Sequence, residues 1–277
     1  MSVAPAGVAL TGNTPGPESK YRLAPNRNNQ WPSRLQILII WQRFNAAEPL
    51  LPLKLFRDRN FSLSNIAISM VGFMIIALSL PLMIYAQSVR SLSPTEAALL
   101  MVPMALLSMV LAPWVGRLVD RCHPRYLAGF GLLSCSVSML WLSGVMQPHT
   151  PIWHLLFPIS LLGIGTAFTF GPLGVSATRN LPMALAGAGS GVYNATRQLG
   201  SVLGSAAIAA MMQSRLNASL PATSGNTYWT GLAELPPQLL GSLSTAMAQS
   251  MLLPAIVVAA GFLVVIFLER PKHLVGR

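Results

Sequence analysis

The chain of 277 residues carries 18 Lys and Arg against 7 Asp and Glu, a formal net charge of +11, yet only 9% of its residues are charged and 53% are hydrophobic. Its mean hydropathy is +0.56. An ordinary soluble domain has about 25% charged residues, so this composition excludes that class and predicts an all-α membrane protein.

The N-terminal segment differs from the rest of the chain. Residues 1–34 are rich in Pro, Gly, Asn and Ser and have no long apolar run. Because they lack the apolar core of a signal peptide, we expect a disordered or non-homologous cytoplasmic tail. The apolar run at 35–41 is too short to cross a bilayer. We interpret residues 35–60 as a truncated helix end followed by a cytoplasmic basic linker.

Long stretches without a charged residue predict membrane helices. Stretches of 30, 20, 53 and 34 such residues follow Arg59, Glu96, Arg125 and Glu234. About 20 apolar residues cross the hydrocarbon core, so the longest stretch holds two helices, divided by the turn cluster at 147–151. A further helix contains Arg197. The predicted six-helix bundle occupies 61–270, with a cytoplasmic tail at 271–277. Its spans are 61–87, 96–115, 126–146, 152–176, 187–212 and 247–268.

The basic residues fall mainly on one side of these spans. That side carries Lys54, Arg57, Arg59, Arg117, Arg121, Arg125, Arg179, Arg270, Lys272 and Arg277, and the other carries Arg90 and Arg215. Ten against two is the positive-inside bias, so we expect a multi-pass protein of the cytoplasmic membrane with a cytoplasmic C-terminus. No interleaving of basic and aromatic residues remains to indicate nucleic-acid binding.

Arg197 is the main candidate for a functional residue. A charge inside a membrane helix costs several kcal/mol unless it meets a partner or water. At about 100° per residue, the polar residues around it form one stripe. This stripe consists of Ser190, Asn194, Arg197, Gln198, Ser201 and Ser205. The small residues Gly187, Gly191, Gly200 and Gly204 flank it and predict close helix packing. The stripe is expected to face a bundle interior or a water-filled cavity, either as substrate contacts or as hydrogen bonds between helices.

The acidic residues all lie in loops or at the ends of predicted spans. They are Glu18, Glu48, Asp58, Glu96, Asp120, Glu234 and Glu269. No carboxylate within the core of a predicted span is left to carry a proton or to neutralise Arg197. The two cysteines and four histidines do not have the spacing of a metal site, and no nucleotide loop or nucleophile with a base is present. We therefore expect no metal, no cofactor and no enzymatic activity.

Two motifs carry a resemblance to a known family. The loop GRLVDRCHPR, residues 116–125, resembles the cytoplasmic signature loop of the major facilitator superfamily, in the copy found in the second half of those proteins. The resemblance implies a conformational latch. Gly116 would permit close helix approach, Asp120 would cap or pair with a helix N-terminus, and Arg121 and Arg125 would hold a neighbouring helix end in one state. His123 stands where these loops commonly have glycine.

The second motif, SGVYNATRQLGSVLGSA at 190–206, is similar to the penultimate helix of the fourteen-helix drug:proton antiporters, the EmrB/QacA-type branch. More weakly, residues 49–61 resemble the linker into the ninth helix of that branch, and residues 81–87 resemble the kinked outer end of that helix. Asn65 and Gln87 are candidate polar residues along this helix. The resemblance covers about 37–270. It implies that the six spans form the C-terminal bundle of a major facilitator fold.

The resemblance also implies a function. Members of this branch export amphipathic, often cationic, drugs by proton antiport with alternating access between two halves. One bundle alone would expose its cavity face to membrane lipid, so we expect a partner, either a separate N-terminal six-helix half or a second copy of this chain. Two alternatives stay open. The chain could be a non-transporting half-carrier that regulates or assembles with a full transporter, or a carrier for another solute.

Overall fold

The computed structural model describes residues 53–219 and 237–268. The chain divides into two units, residues 1–51 and 52–277, and the described residues belong to the second. The predictions for 1–34, for most of the linker and for 271–277 lie outside the described residues. Within the two described ranges every regular element is a helix, which confirms the predicted all-α class.

The first long helix, α1, spans Arg59–Ile84 and follows a short 3-10 helix, Leu53–Arg57. Asp58 caps it, because its carboxylate accepts a hydrogen bond from the Phe61 N–H at 2.8 Å. This cap satisfies one of the backbone donors that a helix N-terminus leaves without a partner. The first apolar residue of this helix is Phe61, where the predicted span begins. Because Asp58 provides the cap, the helix itself begins two residues earlier, at Arg59.

The far end of α1 is distorted. Pro81 lacks a backbone donor, and beyond it the chain continues as a π-helical turn over Tyr85–Val89. The Tyr85 hydroxyl donates to the Gln147 carbonyl at 2.7 Å, which fastens this end to the turn between the third and fourth spans. Proline inside a helix removes one hydrogen bond and bends the axis, as the motif at 81–87 predicts.

The second span consists of two helices, α2 at Pro94–Leu99 and α3 at Val102–Arg121. They are separated because Pro103 has no N–H to donate to the Leu99 carbonyl. α3 continues six residues beyond the predicted end at 115. Charged residues end a membrane span without ending a helix, and this helix ends at Arg121, three residues before Pro124. The backbone of His123, directly before the proline, is extended, as is favoured at that position.

The next two helices are α4 at Pro124–Val145 and α5 at Ile152–Thr178, with the predicted turn between them. α6 spans Met183–Ser219, and its 37 residues make it about 55 Å long at 1.5 Å per residue. The last span is divided into α7 at Pro237–Ser250 and α8 at Leu252–Ile266.

Five described helical segments are long and apolar enough to cross a membrane. They are Arg59–Val89, Pro94–Arg121, Pro124–Val145, Ile152–Thr178 and Leu240–Ile266. α6 is not among them, although a span is predicted at 187–212. It is longer than any other described helix, but Arg197, Gln198 and its serines lower its apolar character.

The helices pack as a bundle in which α1 lies along α6, while α5 lies between α3 and α4 and α4 also contacts α8. α1 and α6 approach each other backbone to backbone. A Cβ at Gly200 would collide with the Ser69 carbonyl, and one at Gly204 would lie 2.5 Å from the Phe73 carbonyl oxygen. Both contacts advance by four residues on each helix, so the two helices run in the same direction. Small residues permit this close approach within a membrane.

We expect Gly200→Ala to destabilise the bundle by at least about 1–3 kcal/mol, because the added Cβ must displace backbone and not a flexible side chain. Gly191→Ala is the matched control on the same helix. A Cβ there has nothing within 4 Å, so the better helix propensity of alanine should leave stability unchanged or raise it by up to about 1 kcal/mol. Thermal unfolding in detergent measures both. Equal melting temperatures for the two variants would contradict the packing described above.

Candidate functional site

The polar stripe of α6 lies beside the contact with α1. Gly72 of α1 lies against the backbone of Arg197, where a Cβ would collide with the Arg197 carbonyl. Ser201, one turn later, donates from its hydroxyl to the Gly72 carbonyl at 3.1 Å. The close packing of α1 therefore sets the depth and rotation of α6 at the point where Arg197 lies.

The Arg197 side chain is half-buried and forms no ion pair with any residue that the structure describes. One turn earlier, Tyr193 packs against the main apolar core and against the smaller cluster at the start of α1. Its hydroxyl is buried without a hydrogen-bond partner in the described ranges. A cation and a buried hydroxyl thus share one turn of α6, and neither has an acidic partner among the described residues.

Three other members of the stripe are turned away from the bundle. Ser190, Asn194 and Gln198 are exposed, while Ser201 and Ser205 are half-buried. Asn194 donates to the Ser190 carbonyl at 3.1 Å, a bond within its own helix that satisfies a polar group without a neighbour. The predicted packing glycines Gly187 and Gly191 lie on this exposed side, and no described residue comes within 4 Å of a Cβ built on them. No described residue therefore packs against these two glycines.

A groove of about 330 Å³ opens between α1 and α6. Its lining consists of Phe56, Ser62, Asn65, Ile66, Ser69, Met70 and Thr196. Asn65 is 2% exposed and donates from its amide nitrogen to the Phe61 carbonyl at 2.8 Å, whereas its amide oxygen has no partner among the described residues. A buried acceptor that lines an apolar groove is the arrangement by which ligand sites orient a bound donor group.

Only some of the predicted residues meet at this groove. Asn65 lies in it together with Thr196 and Ser69, which the sequence pattern did not single out. Gln87 is in the π-helical turn at the opposite end of α1, about 33 Å from Asn65 at 1.5 Å per residue, so it belongs to no common site. Thr196 could be found only from the register of α1 against α6.

The predicted latch lies at the junction of α3 and α4, where Cys122 and His123 alone separate the helices. Gly116 is exposed with nothing within 4 Å of a Cβ, so the close helix approach expected there is absent from the described residues. α3 instead contacts its neighbours through Val115 and Val119. His123 has an extended backbone with φ −68°, so the turn does not need the glycine that is common at this position.

The charged members of this junction have separate roles. Asp120 pairs with Arg179 at the end of α5, with a distance of 3.9 Å between the carboxylate and guanidinium atoms. Asp120 is 74% exposed, so the pair contributes at most about 1 kcal/mol. Arg121 is exposed, and the Arg125 guanidinium lies 5.6 Å from the centre of the Tyr126 ring. Arg179 is the contact that the motif alone did not indicate.

The fold and this arrangement define the class as a multi-pass α-helical membrane protein with polar groups between its helices. The sequence profile of the Major Facilitator Superfamily matches residues 5–205. The chain belongs to the Major Facilitator Superfamily, which confirms the family predicted from the two motifs. The match begins inside the segment 1–34, for which no homology is predicted.

Similar proteins are transporters and drug-resistance proteins. The chain is 47% identical to "Uncharacterized MFS-type transporter Rv1250" of Mycobacterium tuberculosis, over 84% of this chain and 41% of that protein. It is 25% identical to "Lincomycin resistance protein LmrB" of Listeria monocytogenes, over 85% of this chain and 48% of the relative. It is 26% identical to "Multidrug export protein EmrB" of Escherichia coli, over 64% of this chain and 35% of that protein. The chain thus matches less than half the length of each of these relatives.

We expect Asn65→Leu to leave the free energy of unfolding within about 1 kcal/mol of the unaltered chain or to raise it, because an apolar group of similar size replaces a buried acceptor without a partner. Ser244→Ala is the control. The Ser244 hydroxyl donates to the Met146 carbonyl at 2.7 Å, so its loss should cost about 1 kcal/mol. A larger loss of melting temperature for Asn65→Leu than for Ser244→Ala would contradict this assignment.

Proposed function

We propose that the chain is the C-terminal half of a multidrug exporter of the cytoplasmic membrane, with its own C-terminus in the cytoplasm. It works together with an N-terminal six-helix half, and the two halves export amphipathic drugs in exchange for protons by alternating access. The observation that carries this proposal is the uncovered polar face of α6 around half-buried Arg197. Polar groups at membrane depth normally face protein or water, because contact with lipid is costly.

A second uncovered surface supports the same partner. α3 buries only Val115 and Val119, while Met109 and Trp114 are 66% and 68% exposed. An apolar face of this kind suits either lipid or another helix, but the α6 face suits only protein or water. The relatives are about twice as long as the part that this chain matches, so each has room for a further bundle.

The groove between α1 and α6 supports an amphipathic substrate. Its volume of about 330 Å³ lies within the usual range for small-molecule sites. Phe56, Ile66 and Met70 would contact the apolar part of the substrate, and the Asn65 amide oxygen would accept a hydrogen bond from an N–H or O–H group. Two of the relatives are named for lincomycin resistance and multidrug export, which agrees with this class of substrate.

The positions of the described acidic residues support a proton-carrying site outside this bundle. Among residues 53–219 and 237–268 the acids are Asp58, Glu96 and Asp120, and each lies at a helix end. A carboxylate at a helix end in contact with water cannot hold a proton at membrane depth. We therefore assign the proton-carrying carboxylate to the N-terminal half.

Transport should require both halves. We expect ethidium retention in efflux-deficient cells to fall only when this chain is co-expressed with the part of the 47% identical relative that it does not match. A protonophore should then restore retention if protons drive export. Efflux by this chain alone would refute the need for a second half, and a stable pair without efflux would favour the regulatory half-carrier.

Arg197 should act in the assembled pair and not in the fold of this bundle. We expect Arg197→Leu to lower the efflux rate by about tenfold to a hundredfold, which corresponds to losing a hydrogen bond to a charged group. The melting temperature of this variant, measured in detergent without the N-terminal half, should change little, because no described residue forms an ion pair with Arg197. Arg215→Leu, near the end of the same helix, is the control and should keep efflux. Loss of folded protein with Arg197→Leu would indicate a structural role.

A further inference from the structure

A second cavity lies where α1 and α4 begin and α8 ends. Its volume is about 420 Å³. It is lined by Arg59, His123, Arg125, Tyr126, Ile266, Phe267 and Leu268. Of its lining residues, Arg125 also belongs to the predicted latch.

The lining is cationic and prearranged. The Arg125 backbone N–H donates to His123 Nδ1 at 3.2 Å, and the Arg125 guanidinium lies over the Tyr126 ring at 5.6 Å. The N-termini of α1 and α4 add the positive ends of two helix dipoles. Such a pocket attracts a phosphate or another anionic oxygen group.

The surroundings of the cavity indicate a lipid and not a soluble anion. Tyr126 and Phe267 are 67% and 61% exposed, and they flank the cavity at the end of the bundle. Aromatic side chains of this kind concentrate at the level of lipid headgroups. Going deeper into the membrane, Phe130 and Leu133 of α4 and Leu263 of α8 are also exposed, which provides an apolar path for acyl chains.

We infer that this cavity binds the phosphate headgroup of an anionic phospholipid, with Arg59 and Arg125 as its cationic contacts and its acyl chains along the exposed apolar side chains of α4 and α8. The exposed Arg117 and Arg121 of α3 lie at the same end of the bundle but do not line the cavity. Basic pockets between membrane helices on the cytoplasmic side are a known way of binding anionic headgroups. The inference does not depend on the proposed transport function.

Native mass spectrometry of the purified full chain in neutral detergent tests this site. The probes are phosphatidylglycerol and phosphatidylcholine with the same acyl chains. We expect preferential retention of phosphatidylglycerol, and a decrease in its affinity of about 25-fold in the double variant Arg59→Gln with Arg125→Gln, since each cation near an anionic surface contributes about fivefold. The matched control, Arg117→Gln with Arg121→Gln, removes the same charge outside the cavity and should retain the lipid.

The remaining outcomes are equally decisive. Equal losses in the two double variants would mean a diffuse attraction and would overturn the site. Displacement of the lipid by excess inorganic phosphate would mean a soluble-anion site and would overturn the lipid assignment, whereas retention supports it. If the pocket double variant fails to fold, Arg125→Gln compared with Arg121→Gln provides the same contrast, and Arg125→Lys should restore most of the binding. No preference for phosphatidylglycerol in the unaltered chain would also refute the inference.

Discussion

The close backbone contact between α1 and α6 is the constraint on which the rest of the bundle depends. α6 is the described helix that contains an arginine at membrane depth, and its own apolar character is too low to mark it as a membrane span. Its insertion therefore relies on a neighbour. Gly72, Gly200 and Gly204 let the two backbones meet, and the Ser201 hydroxyl adds a hydrogen bond to the Gly72 carbonyl.

The same contact determines what α6 presents to its surroundings. With its glycine face against α1, its polar stripe lies at the edge of the bundle, where Asn194 and Gln198 are exposed. The Asn194 amide nitrogen donates to the Ser190 carbonyl of its own helix. Asn65 is different, because its amide oxygen is buried with no partner among the described residues. A buried group of this kind is costly in a fold, which makes it a candidate for function.

The junctions at the basic end of the bundle depend on caps and prolines more than on glycine. Pro124 begins α4, and the extended backbone of His123 turns the chain where the family commonly has glycine. The exposed pair of Asp120 with Arg179 joins the ends of α3 and α5 but contributes little stability. A weak contact of this kind can break and reform without cost to the fold, which suits a latch better than a structural bond.

The sequence by itself determined the all-helical membrane class, the family, the turn at 147–151 and the depth of Arg197, because charge-free length and turn chemistry are local properties that each segment carries alone. Helix ends were less predictable, since charged residues let α3 continue to Arg121. Only the tertiary structure decided that Gly200 packs while Gly191 does not, and that Asn65 meets Thr196. Those facts depend on the rotation and register of α6 against α1, which no single helix contains.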